Sequence, residues 1–135
     1  MKRRVIVSAL ISCEEDYLFI KQEKKGGAYQ GMLHIPGGGL EDGEHPLDGI
    51  IREVKEETGL DIYNIKPFDF ADDFVEYKGE ETQFIFLRYT AEAATHDAIA
   101  SSDAKEVIWV HKDKLLEYPQ NPATIDLLKN LNLIY

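Results

Sequence analysis

Apolar and polar positions along the chain mark out strands toward both ends and one amphipathic helix between them. Val5 to Ile11 and Tyr17 to Lys21 are rich in strand-forming residues, and the polar turn Cys13-Glu14-Glu15-Asp16 between them predicts a strand pair. The stretch KKGGAYQG, punctuated by Gly26, Gly27 and Gly31, predicts a loop. Leu33 to Ile35 then leads, extended, into Pro36 and three glycines. Further on, FDFADDFVEYKGEETQFIFLRYT holds two partly alternating runs about Lys78-Gly79-Glu80-Glu81, the pattern of a hairpin. Its second strand is apolar at Phe84, Ile85, Phe86 and Leu87, as expected of a central strand covered on both faces. Ala93 to Lys105 loses periodicity and reads as a surface loop. Glu106 to His111 predicts a strand, Lys112 to Tyr118 a short helix, and Pro122 to Leu131 a terminal helix capped by Asn121. Strands separated by helices imply an α/β sandwich around a mixed sheet. With 135 residues and no repeat or linker, one domain over residues 1–135 is expected.

The central helix carries the chemistry. Pro46 suits a first turn and Gly59 a C-terminal cap, which bounds the helix at about Pro46 to Thr58. Asp42, Glu44 and Asp48 lie at or before its positive end and need no further explanation. Glu53, Glu56 and Glu57 are different. Taking Glu53 as zero, Glu56 lies near about −60° and Glu57 near about +40°, so the three share a narrow face. Leu47, Ile50, Ile51, Val54 and Thr58 occupy the adjoining sector and are the expected core face. Arg52 can relieve one of the repulsions at four-residue spacing, to Glu56, but cannot neutralise three carboxylates. A solvated acidic face is one account of this cluster; a site for hard divalent cations beside a glycine loop is the other.

Charge sharpens that choice. The chain has 15 Lys and Arg against 25 Asp and Glu, a formal charge of -10, the reverse of a nucleic-acid or anionic-membrane binder. A phosphate substrate would need positive charge supplied locally, and bound cations are the readiest source. The single Cys13 forms no internal disulfide, which fits a reduced, cytoplasmic setting. The basic, apolar start before Cys13 faintly resembles a lipoprotein signal, but its brevity and β-branched residues favour a first strand.

The spacing Gly38, five residues, Glu44, seven residues, then Arg52-Glu53-Val54-Lys55-Glu56-Glu57-Thr58-Gly59-Leu60 resembles the Nudix box at every defining position. Gly49, where relatives commonly carry alanine, and Leu33, where many have tryptophan, depart from the family pattern without touching its chemistry. The resemblance implies an α/β/α sandwich and hydrolysis of a nucleoside diphosphate linked to another moiety. Carried over by position, Glu53, Glu56, Glu57 and the main-chain carbonyl of Gly37 would hold Mg²⁺, or Mn²⁺ in its place. Arg52 would orient the glutamates, and Gly38, Glu44 and Gly59 would support the box. The base would be Glu57, then Glu56, with Glu80, Glu81 and Glu106 in reserve.

The segments Phe70-Ala71-Asp72-Asp73, Lys78-Gly79-Glu80, Gln83 to Leu87 and Asn121 to Leu131 are similar to the nucleoside-triphosphatase branch. Cleavage of a nucleoside triphosphate to monophosphate and pyrophosphate is the favoured activity. A hydrolase of dinucleoside polyphosphates or other nucleotide derivatives is the alternative, because Tyr77 falls where the dinucleoside enzymes often place a tyrosine. A non-catalytic Nudix-like binding module, or an acidic interaction domain, is the reading from another class. His34, Tyr29, Phe74, Tyr77 and Glu106 are candidate substrate contacts, and Lys21, Lys24 and Lys25 candidate phosphate contacts. Phe68, Phe84, Phe86 and Trp109 are expected in the core, and His45, His96 and His111 on the surface. The expected partner is a nucleotide, with neither nucleic acid nor membrane; a homodimer is compatible with the family.

Overall fold

The computed structural model describes residues 1–21, 31–101 and 106–135. In chain order these form β1 (Lys2–Cys13), β2 (Asp16–Lys21), β3 (Leu33–His34), β4 (Gly37–Gly39), α1 (Pro46–Thr58), β5 (Ile62–Tyr77), β6 (Glu80–Ala93) and β7 (Glu106–His111). A 3-10 helix over Lys112–Glu117 and α2 (Pro122–Asn130) complete the fold. The strands make one mixed seven-stranded sheet in the order β3-β2-β1-β6-β5, with β4 paired to β1 and β7 to β2.

β1 and β6 run parallel, in register from Lys2 beside Thr82 to Ser12 beside Glu92. That ladder extends β1 beyond its apolar run at both ends, because main-chain pairing does not require apolar side chains. Alternation along β1 then sends side chains to two cores. Val7, Ala9 and Ile11 join Leu18, Tyr89, Ala91 and Ala93 beneath Ile50 and Val54 of α1. Leu10 joins Phe19, Leu33 and Val110 beneath Leu115 of the 3-10 helix and Leu127 and Leu128 of α2. The result is the expected α/β/α sandwich. Arg88 pins α2 to the sheet, donating to Asp69 at 2.6 and 2.8 Å, to Asp126 at 2.9 Å and to the Ala123 carbonyl at 3.2 Å.

Helix bounds follow their caps. Gly59 ends α1 at φ 74, and Asn121 caps α2 by accepting from the Thr124 N–H at 2.9 Å. The buried side of α1 differs from the expected one. Leu47 and Ile51 are 48% and 41% exposed, whereas Gly49, Ile50, Val54, Glu57 and Thr58 are buried. The side of α1 that meets the sheet and β4 is therefore centred nearer the glutamates, and Glu57 lies within the packed face. Phe68 is also corrected: it is 38% exposed, because it falls at a register shift between Pro67 and Asp69 that turns it out of the ladder. β6 is central as expected, but Phe84 to Leu87 are half-buried.

The irregular stretch after β6 is more anchored than its aperiodicity suggests. Ile99 donates its N–H to the Thr58 carbonyl at 2.9 Å, and Ala98 packs on the α1-side core. His96, expected on the surface, is half-buried between Asp16 at 2.9 Å and Cys13 Sγ at 3.6 Å, with Trp109 donating to its carbonyl at 3.0 Å. His111 accepts from the Asp113 N–H at 3.1 Å and so caps the 3-10 helix. Among the described residues, no helix is long and apolar enough to cross a membrane.

Gly49 is buried because there is no room for more. A Cβ there would come within 2.6 Å of Leu40 Cδ1 and 3.0 Å of Glu44 Oε1. Gly49→Ala gains about 1 kcal/mol of helix propensity. It should lose about 2 kcal/mol to crowding. A net fall of stability in urea unfolding is the expected result; a rise would show that Leu40 and Glu44 yield freely.

Candidate active site

The glycine strand and the acidic helix meet face to face. β4 lies against β1 with Gly39 beside Ile6, Gly38 beside Val7 and Gly37 beside Ser8. Glu57, 7% exposed, accepts the Gly37 N–H on Oε1 at 3.0 Å. Glu53 lies directly on Gly38, where a Cβ would stand 2.6 Å from its Oε1. A side chain at Gly38 would displace the Glu53 carboxylate of the helix, and one at Gly37 would push β4 away from β1, since its Cβ would meet Ser8 Cα at 2.7 Å.

Arg52 organises the carboxylates that Glu57 leaves. Its Nε and Nη2 form a fork on Glu44 at 2.7 and 2.9 Å, Nη1 reaches Glu53 at 2.9 Å and Glu56 at 3.3 Å, and Nη2 also donates to the Gly39 carbonyl at 3.2 Å. Glu44 in turn accepts the Glu41 N–H at 3.1 Å, so loop and helix share one guanidinium. Arg52, paired first with Glu44, is held even more firmly protonated than an ordinary arginine. Its guanidinium, with help from the Glu41 N–H, draws the Glu44 carboxyl down from its ordinary 4.5 to about 2. The helix-wheel arithmetic allowed Arg52 only Glu56; the fold adds Glu53 and Glu44, since Glu44 reaches it only through the turn of the loop.

The donor chemistry of this cluster suits a hard divalent ion, being all oxygen. The side-chain arrangement is the one Arg52 imposes: Glu56 is 59% exposed at its side chain and turned toward the guanidinium, and Glu53 is shared with it. Among the described residues, no three His, Cys, Asp or Glu side chains converge as a metal would require.

The other sequence-derived candidates scatter. His34 pairs with Ile20 and lies 3.1 Å from the Ile35 carbonyl. Glu106 pairs with Lys21 at the β2–β7 edge. Phe74 and Tyr77 sit on one strand at odd separation and so face opposite sides of the sheet; Phe74 is 54% exposed, whereas Tyr77 packs on Phe84 at 5.4 Å. Tyr29, Lys24 and Lys25 lie outside the described residues. Arg4 also lies close by, its guanidinium against Gly39 and 5.2 Å from the Tyr77 ring.

A NUDIX domain model matches residues 2–131. The chain belongs to the Nudix family. Nucleoside triphosphatase NudI of Escherichia coli K12 is 30% identical over 141 residues, covering 99% of this chain and 100% of that protein. The MutT NUDIX hydrolase of Burkholderia pseudomallei superposes with a TM-score of 0.81 at 22% identity, covering 97% of this chain and 99% of that one. The NUDIX domain of Shewanella oneidensis NrtR, complexed with ADP ribose, superposes at 0.78 and 14% identity, covering 98% and 88%. As a Nudix hydrolase, the chain is a pyrophosphohydrolase acting on phosphoanhydride bonds. Nudix hydrolases generally use divalent metal ions.

The Glu44 pairing gives a pH dependence. Its pKa is depressed in the fold, so the stability it adds is complete above about 4.5 and lost as pH falls toward about 2. Glu44→Gln should therefore unfold more easily than the parent near neutral pH, with the difference in urea midpoint shrinking across that acid window. A difference independent of pH would dissociate Glu44 from Arg52.

Proposed function

We propose that this chain is a Mg²⁺-dependent nucleoside triphosphate pyrophosphohydrolase, one domain over residues 1–135, releasing the monophosphate and pyrophosphate in the cytoplasm. The observation that carries this reading is the seating of Glu57. Nearly buried on the Gly37 N–H, beside Glu53 on Gly38, it forms part of an acidic surface one glycine strand thick. Glu57, hydrogen-bonded to the Gly37 N–H, and Glu53, held by Arg52 at 2.9 Å, set carboxylate oxygens side by side on glycines, a donor set that suits a hard cation. Full-length similarity to a protein named nucleoside triphosphatase supports the substrate class.

Glu53, Glu56, Glu57 and the Gly37 carbonyl would hold the ion. When bound, a divalent ion polarises a phosphoryl oxygen and lowers the pKa of a nearby water. The chain's own residues supply the rest. Arg52 restrains Glu53 and Glu56 and so limits the repulsion between them. Glu57, fixed through one oxygen by the Gly37 N–H, is the preferred acceptor of the attacking water's proton, with Glu56 second. Gly38 leaves the space that Glu53 fills, Glu44 anchors Arg52, and Gly59 ends the helix just beyond Glu57.

Nucleoside triphosphates, dinucleoside polyphosphates and nucleotide sugars such as ADP ribose, assayed with Mg²⁺ and with chelator, test the reading. Turnover of triphosphates to monophosphate and pyrophosphate, abolished by chelation, is expected; turnover of no member would favour a binding module. Glu57→Gln keeps an acceptor for the Gly37 N–H and should keep the fold, while kcat falls by about 10²–10⁴-fold. Near-normal kcat would remove Glu57 from the reaction.

A further inference from the structure

Two different devices fasten α1. Arg52 ties its middle to the loop, through Glu44 and the Gly39 carbonyl, and holds Glu53 and Glu56. Glu57 belongs to the last turn, where the final carbonyls of a helix have no partner inside it. Thr58 there is fully buried and donates its Oγ1 to the Val54 carbonyl at 2.7 Å. Its own carbonyl accepts the Ile99 N–H at 2.9 Å, while Ala98 packs on the core that holds Ile50 and Val54. The segment after β6 thus caps α1 one residue beyond Glu57.

His96 fixes that segment to the sheet. Its carbonyl accepts the Ala98 N–H at 2.8 Å and the Trp109 Nε1–H at 3.0 Å, and its ring meets Trp109 edge-on at 4.7 Å. Nε2 lies 2.9 Å from Asp16 Oδ2, and Nδ1 lies 3.6 Å from Cys13 Sγ. A carboxylate only accepts, so the ring proton sits on Nε2 and Nδ1 takes the Cys13 S–H. Three strands therefore grip one residue: Cys13 ends β1, Asp16 begins β2 and Trp109 lies in β7. Cys, His and Asp in this order have the form of a nucleophile with its base. Cys13, however, is 5% exposed, and burial, with Glu14 and Asp16 nearby, pushes its thiol up from the ordinary value. A thiol so placed is inert, and the cluster is a clamp.

We propose that His96 is a positioning residue for the reaction: clamped to Asp16, Cys13 and Trp109, it holds the segment that caps α1 and so sets where Glu57 stands on Gly37. His96 and Ile99 are three residues apart, and Ala98 between them is packed on the core, so movement of one is passed to the other. Without the clamp the Ile99 N–H is no longer presented to Thr58, and the last turn of α1 frays around a carbonyl that has lost its partner. Glu57 lies in that turn. A reacting group displaced by about 1 Å costs rate, by as much as about 10²-fold, while the rest of the substrate still binds. The inference rests on the reading of Glu57 above.

Steady-state kinetics on the nucleoside triphosphate hydrolysed fastest, at a temperature where circular dichroism shows each variant folded, test it. His96→Ala should lower kcat by about tenfold or more with KM changed by less than about twofold. Asp16→Ala should do the same, and the double variant should be no slower than either, since both residues act through one contact. Asp16→Asn, which keeps an acceptor for the Nε2 proton, should hold kcat within about twofold of the parent. Ile99→Pro deletes the N–H given to Thr58 and should match His96→Ala, whereas Ile99→Ala, at a side chain 73% exposed, should match the parent. Parent-like kcat in His96→Ala and Asp16→Ala with only a lower urea midpoint overturns the proposal, and so do additive losses in the double variant. Should the parent hydrolyse no triphosphate, the reading of Glu57 falls on its own, and amide hydrogen exchange decides the clamp. Faster exchange of the Glu57, Thr58 and Gly59 amides in His96→Ala, with that of Ile50 unchanged, supports it; equal or uniformly faster exchange overturns it.

Discussion

One guanidinium holds the working half of this molecule together. Arg52 binds Glu44 in a fork while touching Glu53, Glu56 and the Gly39 carbonyl, so a loop, a strand and a helix converge on a single side chain. Without it, three glutamates on one helix and a fourth in the loop would repel at close range. With it, Glu44 remains ionised far into acid and the loop has one position relative to the helix. Glu57 is the acid this arrangement does not reach, and the backbone N–H of Gly37 holds that one instead. Positive charge inside the protein and an N–H dipole thus divide the work of keeping four carboxylates near one another.

The glycines of β4 matter because they are thin. Gly38 is in contact with the Glu53 carboxylate and Gly39 with the Arg4 guanidinium, so an anion and a cation rest on neighbouring residues of one strand, on the two sides of the sheet. A side chain at either position would displace the charged group that rests there.

Packing sets how α1 is turned. The wheel places Leu47 and Ile51 with the core, yet Gly49 and Glu57 are buried while those two stand out in solvent. Gly49, which has no side chain, lets Leu40 and the Glu44 carboxylate of the loop close against that side of the helix. The same tertiary logic rescues the aperiodic stretch after β6, where His96 bridges Asp16, Cys13 and Trp109 through contacts that no periodicity encodes.

The chain by itself determined the helix and its ends, because Pro46, Gly59 and the spacing of Ile50, Val54 and the glutamates are local facts of backbone geometry. It likewise determined the strand pair at the start, the hairpin, the Asn121 cap and the family, each written in neighbouring residues. Only the tertiary structure decided which carboxylates share Arg52, which side of α1 is buried, and that Phe74 and Tyr77 look opposite ways. Those depend on residues far apart in sequence meeting in one register. Arg4 is the clearest case: as a letter it is one of 15 basic residues, and its place against Gly39 and Tyr77 arises only when β1 is laid between β4 and β6.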